Sequence, residues 1–302
     1  MIRIALIDVD NHNFPSLPLM KLSAWHRQQG DTVEWYDPLR AWRDPPQRVY
    51  MSKVFTFTPD YPHPVNAIEI VRGGTGYNYP NGKPDLPPVV EHVYPDYSLY
   101  PELTKDTAYG FLTRGCPRGC GFCIVRGKEG HKSRKVADLE EFWHGQKNIV
   151  LLDPNFFACP DWRELSGQLI GSRAWIDFSQ GCDIRTMTAE KTEYLMQMHI
   201  KRIHFAWDRY GEKDLVIRKL EEFRNLTDWG YWKMGVYILT NFDTTFEQDL
   251  ERVYILRDLG YNPYVMIYNK QDVPKGHALR RLQRWVNARA AFRTVKKFED
   301  FK

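Results

Sequence analysis

Apolar residues in this chain fall into short buried-looking runs separated by amphipathic stretches, the pattern of strands alternating with helices. IRIALIDV (residues 2–9) predicts a first strand. In the following LPLMKLSAWHRQQGD, Leu19, Leu22 and Trp25 share one helical face, and Gly30 ends the helix. TVEWYDP supplies a second strand. KVFTFTP and NAIEIVRGG read as the third and fourth, both running into turn-forming residues. A strand–helix–strand opening favours an open parallel sheet. Between Gly73 and Pro101 the chain is dense in Gly, Pro and Tyr, which predicts an irregular connector. Residues 1–100 are therefore expected to form a small Rossmann-like α/β domain ending in that connector.

From Thr107 onward the alternation is regular. AYGFLT, NIVLLD, AWIDFS, RIHFAWD, MGVYILTN and PYVMIYN predict six strands, with VADLEEFW, DWRELSGQLI, AEKTEYLMQM and FEQDLERVYILRDLG as helices among them. Six βα units in series predict a partial (βα)6 TIM-like barrel over residues 101–270, two units short of the eight-fold form. Functional groups of such barrels collect at the carboxyl ends of the strands. Asp153, Asn155, Ser179, Asp208, Thr240, Asn241 and Asn269 all stand there, although the same residue types also cap helices. A last segment, 271–302, is basic: from Lys270 to Lys302 ten Lys or Arg face only Asp272, Glu299 and Asp300. Leu279, Leu282, Trp285 and Val286 form an apolar stripe within it, so a helix packed on the barrel with its arginines outward is expected. Such charge reads as a solvated face, with nucleic acid as the alternative partner.

Composition narrows the class. With 43% hydrophobic and 14% aromatic residues, disorder is excluded, and no apolar run reaches the eighteen residues of a membrane span. A net charge of +4 requires neither nucleic acid nor membrane. The first residues lack signal-peptide anatomy. Five cysteines, three of them clustered, do not make a disulfide framework; they predict metal binding or catalysis in a reducing, cytoplasmic setting.

The segment TRGCPRGCGFCIVRGKEGHKSR carries the chemistry. Cys116, Cys120 and Cys123 form C-x-x-x-C-x-x-C, so one loop can bring three thiolates to one inorganic cube. Iron–sulfur cubes normally have four Cys ligands; three leave one iron open. The structural alternative is zinc, with His131 as fourth ligand, although zinc sites more often use two separated Cys pairs.

This spacing after the first barrel strand, with aromatic Phe122 directly before the last Cys, resembles the radical S-adenosylmethionine superfamily across roughly residues 105–270. The resemblance implies a 4Fe–4S cluster on Cys116, Cys120 and Cys123, with S-adenosylmethionine chelating the open iron. It further implies reductive cleavage to a 5′-deoxyadenosyl radical that abstracts hydrogen from a substrate, using an electron from a flavodoxin- or ferredoxin-like donor. Carried over residue by residue, Asp153 and Asn155 would face the cofactor's amino group, in place of the family's usual glycine-rich stretch. DFSQGCDIR resembles the same region of the cobalamin-associated branch and offers Ser179 and Arg185 to ribose and carboxylate. Asp208 would accept from a ribose hydroxyl. Arg185 pairing with Asp183 or a neighbouring helix is the alternative. Cys182 would be a hydrogen-atom donor or, like Cys159, a small buried apolar residue.

Residues 1–100 also resemble the cobalamin-binding domains that precede many such barrels. Asp10 and His12 match their D-x-H, His12 being the cobalt ligand, and Gly73–Gly74 could match a later glycine pair. Pro15 stands where the family has glycine, and the domain is short, so a retained scaffold with His12 as a turn residue or a substrate contact is the favoured expectation. A cobalamin-dependent methyltransferase is the alternative enzyme, and a metal-stabilised nucleic-acid-binding module the non-enzymatic one. No second cysteine triad is present, which disfavours methylthio transfer.

Overall fold

The computed structural model describes residues 1–79 and 85–302; residues 80–84 of the predicted connector lie outside the described residues. The N-terminal sheet holds β1 (Arg3–Asp8), β2 (Thr32–Trp35), β3 (Arg48–Ser52) and β4 (Glu69–Gly73), all parallel in the order β2-β1-β3-β4. Ile4, Ala5, Leu6 and Ile7 are all buried because both faces of β1 are covered, as parallel sheets require. On one face the helix Leu17–Gln28 sets Leu19, Met20 and Leu22 against Ile4 and Leu6.

The third strand differs from the sequence expectation. It is RVYMS (48–52), whose Val49 and Met51 bury beside Ala5 and Ile7. KVFTFTP lies beyond it as a loop with Phe55 and Phe57 exposed and stacked, their ring centroids 5.1 Å apart. Its alternation has no neighbouring strand to pair with. Asp10 ties this loop down instead, accepting from Val54 N (2.5 Å), Phe55 N (3.3 Å) and Thr58 Oγ1 (2.7 Å).

The barrel begins at β5 (Thr107–Gly110). A short antiparallel pair follows, β6 (Thr113–Arg114) with β7 (Arg134–Lys135), and then β8 (Asn148–Leu151), β9 (Trp175–Cys182), β10 (His199–Ala206), β11 (Met234–Thr240) and β12 (Asn262–Ile267). The six-stranded sheet runs β12-β11-β10-β9-β8-β5, parallel throughout. Strand order thus follows chain order, so each βα unit advances in the same direction. The product is a partial (βα)6 TIM-like barrel.

Helices Trp162–Ser172, Ala189–Gln197, Lys213–Leu226 and Phe246–Asp258 cover its outside. VADLEEFW makes only the single turn Leu139–Glu141, closed by a capping box between Asp138 and Glu141. The basic terminal segment contains the helix Ala278–Asn287, which buries Leu279, Leu282, Trp285 and Val286. Its Arg281 and Arg284 lie over the rings of Phe298 and Phe301.

The two sheets meet through Phe14, whose ring stands edge-on to Tyr109 of β5 at 5.2 Å. A charge chain adds to this contact: Lys21 pairs with Glu91 (3.1 Å), Glu91 with Arg114 (3.3 Å), and Arg114 with Glu129 (3.7 Å). Among the described residues no helix is long and apolar enough to cross a membrane.

Candidate cluster and cofactor site at the barrel mouth

The three clustered cysteines occupy the loop between β6 and β7, at the carboxyl end of β5. The two-residue strands clamp the base of that loop. Gly115 has φ +88°, and a Cβ there would run into the Lys132 carbonyl, so the chain can enter the loop only through glycine. Its N–H donates to Glu129 Oε2 (3.1 Å), while Cys116 N donates to Gly130 O (3.2 Å) and Cys123 N to Cys120 O (3.1 Å). Cys116 and Cys120 are half-buried and Cys123 is exposed.

Burial and the neighbouring Cys123 push the Cys120 thiol up, against the pull of Arg185 and Arg209; burial and Cys116 likewise raise Cys123. Without metal Cys120 and Cys123 therefore favour the thiol form, and binding metal must displace their protons. Among the described residues no three His, Cys, Asp or Glu side chains converge on one ion-sized point. In a cube each thiolate would take a different iron. His131, the fourth ligand of the zinc alternative, is exposed and accepts at Nδ1 from Arg126 Nε.

Asp153 lies fully buried beneath the loop. Both its oxygens are occupied, accepting from Leu112 N (3.2 Å), Thr113 N (2.5 Å) and Thr113 Oγ1 (2.7 Å). Burial pushes its carboxyl up to about 7, opposed by those hydrogen bonds. Asp153 thus fastens the end of β8 to the start of the cysteine loop. Asn155 is buried, and its Nδ2 points to Cys116 Sγ at 3.5 Å while its Oδ1 has no partner. Asp208, after β10, also has a buried Oδ1 with no partner. Burial pushes its carboxyl up to about 6 despite Arg252 and Arg185, and its charge reaches both Cys120 and Cys123. Among the described residues, two buried acceptors beside the cysteines therefore lack donors. Such vacancies are costly unless a ligand fills them, and an amino group or ribose hydroxyls would fit.

Ser179 Oγ donates to Leu151 O at 2.9 Å, and its own carbonyl accepts from Tyr237 Oη at 2.6 Å. Arg185 adopts the alternative arrangement: its Nε donates to Asp183 Oδ1 at 2.6 Å and its Nη1 to Glu212. Asp183 Oδ2 accepts in turn from Arg118 Nε at 2.5 Å, within the cysteine loop. Burial would raise the Asp183 carboxyl, but the hydrogen bonds from Arg185 and Arg118 hold it below its usual range. This chain ties the loop to the end of β9. Phe122 meets Phe242 edge-on (5.4 Å), and Phe242 meets Tyr268 (5.0 Å), linking the loop to the ends of β11 and β12.

Arg118, Phe242 and Arg252 were absent from the sequence expectation. Arg252 is fully buried and paired with Asp249 at 2.5 Å. It donates to Trp207 O (2.6 Å), Asp208 O (3.2 Å) and Leu239 O (2.8 Å), fixing the carboxyl ends of β10 and β11. Its signal was available: Asp249 and Arg252 fall on the apolar face that Val253 and Leu256 define. Cys159 and Cys182 are both buried, and burial raises the thiols of both.

The structure gives His12 no support as a metal ligand. Among the described residues it has no hydrogen-bond partner, and Asp10, the acid expected to orient it, is spent on residues 54–58. Its ring lies 5.4 Å from exposed Phe55. At Gly74 (φ +95°) a Cβ would strike the Lys53 carbonyl, so this glycine makes room for protein backbone. These residues do not fit cobalamin.

No family model matches the chain. Over 104 residues, 30% of its length, it is 31% identical to the tRNA-2-methylthio-N(6)-dimethylallyladenosine synthase of Flavobacterium psychrophilum, and it spans 19% of that protein. Streptococcus suis SuiB bound to precursor peptide SuiA aligns with 63% of this chain and 47% of its own at 14% identity and a TM-score of 0.45. SuiB bound to S-adenosylmethionine aligns with 70% of this chain and 52% of its own at 13% identity and 0.43. At those TM-scores the likeness is partial, and the fold stands on the strand order of this chain. The cysteine loop stands at the carboxyl mouth of the partial βα barrel, where such barrels gather their functional groups.

Proposed function

We propose that Cys116, Cys120 and Cys123 hold a 4Fe–4S cluster with one open iron, and that the mouth beside it binds S-adenosylmethionine to begin hydrogen abstraction from a substrate. The observation that carries this reading is the pair of unpartnered buried acceptors, Asn155 Oδ1 and Asp208 Oδ1, flanking the cysteines. When bound, the cluster and S-adenosylmethionine supply one-electron cleavage of the sulfonium, with the electron coming from a flavodoxin- or ferredoxin-like donor.

The chain's own residues bind and position. Asn155 donates toward the Cys116 sulfur and offers its oxygen to an amino group. Asp208 offers a carboxylate oxygen to a hydroxyl. Asp153 and the Arg118–Asp183–Arg185 chain hold the loop in place. The five cysteines are free, consistent with the reducing cytoplasm such a cluster needs. The reading stops short of the methylthio chemistry in the relative's name. Outside the triad this chain has only Cys159 and Cys182, which leaves no second triad for another cluster.

The test is anaerobic reconstitution with iron and sulfide, followed by dithionite and S-adenosylmethionine, with released methionine measured. Each of Cys116→Ala, Cys120→Ala and Cys123→Ala should abolish release. Asn155→Ala and Asp208→Asn should keep their iron and lose about ten-fold or more in S-adenosylmethionine affinity. Full release by any Cys variant would overturn the assignment.

A further inference from the structure

At the amino-terminal end of β10–β12, away from the cysteine loop, a narrow cleft is lined by Arg202, His204, Asn262, Tyr264 and Arg289 among others. Neither arginine makes an ion pair or a side-chain hydrogen bond among the described residues. Every ion pair in the barrel involves other cations. The two guanidinium groups repel each other, and Arg293, which covers the Tyr231 ring at 3.9 Å, adds a third positive charge next to Arg289. Asp177, in register with Arg202 on the neighbouring strand, feels the Arg202 charge but makes no ion pair with it, and its Oδ1 has no partner among the described residues.

Like charges gathered on one concave surface with no acid at ion-pair distance favour an anion. Guanidinium forks suit the oxygens of phosphate in particular. One N–H of the Asn262 amide is already taken, since its Nδ2 donates to Tyr231 O at 2.8 Å. From this geometry we infer a phosphate-binding site at the base of the barrel, held by Arg202 and Arg289. It is independent of the cluster and of S-adenosylmethionine.

His204 reports on the site. It lies in the cleft, stacked on Tyr237 with centroids 4.7 Å apart, and its Nδ1–H donates to Phe178 O at 3.2 Å. Burial lowers its imidazole to about 4, and the Arg202 and Arg289 charges contribute to the same shift. An anion between the arginines must relieve part of that shift.

The experiment follows the His204 ring signal by NMR in the full chain while inorganic phosphate is added at constant ionic strength. The expected result is a saturable shift with a millimolar or tighter midpoint, and a rise in the His204 pKa at saturation. Arg289→Gln alters only an exposed side chain, and it should weaken the midpoint ten-fold or more while the thermal transition stays unchanged. Arg202→Gln should do the same. A wild-type signal that does not move saturably, or a midpoint unchanged in both variants, overturns the site. Movement on adding single-stranded RNA, with none on adding phosphate, overturns the small-anion assignment in favour of a nucleic-acid backbone.

Discussion

Replacing Arg252 with methionine removes a buried cation that serves two strands at once. The guanidinium is fully buried, pairs with Asp249, and holds the carbonyls of Trp207, Asp208 and Leu239 at 2.6, 3.2 and 2.8 Å. Methionine fills much of the volume but donates nothing. Asp249 is then stranded, keeping only Thr244 Oγ1 (2.6 Å) as a side-chain donor. Breaking one side of a buried pair costs about 3–5 kcal/mol, and three carbonyls lose donors as well. Part of that loss is offset by the apolar replacement, so about 4 kcal/mol is expected, a fall in Tm of roughly 10 °C for a chain of this size. Denaturant unfolding followed by circular dichroism measures it. The double variant Arg252→Met/Asp249→Leu removes the stranded carboxylate, and it should be more stable than Arg252→Met alone. A loss below about 1 kcal/mol in Arg252→Met, or a double variant less stable than the single, would refute the reasoning.

Two further perturbations test other parts of the account. His204 titrates near 4 when folded and near 6.5 when unfolded. The unfolded chain therefore binds more protons between these values, and stability rises with pH across that window by about 3 kcal/mol, fully present above it. His204→Phe should lack that slope when denaturant midpoints are compared from pH 4 to 7; parallel profiles would contradict the buried neutral imidazole. Gly115→Ala places a Cβ at φ +88° against the Lys132 carbonyl, a strain of about 1–3 kcal/mol. It should lower iron incorporation on anaerobic reconstitution, and incorporation equal to the wild type would show that the loop entry tolerates a side chain.

The six barrel strands were legible in the sequence because each is a short apolar run bracketed by polar helices, a pattern with no competing period. The C-terminal helix was legible for the same reason, through Leu279, Leu282, Trp285 and Val286. KVFTFTP misled because alternation alone does not tell a strand from an exposed loop; its carboxylate anchor, Asp10, lies 43 or more positions earlier in the chain. The cysteine triad was readable since one loop contains all its ligands. The partners of Asp153, Arg185 and Phe122 were not. Each is set by contacts between the ends of separate strands, and sequence spacing carries no trace of which polar group at a barrel mouth turns outward to a ligand and which turns inward to brace a loop. Asp153 stands where a cofactor contact would, yet spends both oxygens on Leu112 and Thr113. Asn155, two residues on, keeps an oxygen free.

The central claim is the cluster, and metal content tests it most directly. Protein reconstituted anaerobically with iron and sulfide, then desalted, should carry close to four irons and four sulfides per chain, with negligible zinc. The Cys116→Ala/Cys120→Ala/Cys123→Ala triple variant should carry neither iron nor sulfide. One zinc per chain without sulfide, or iron and sulfide retained in the triple variant, would contradict it.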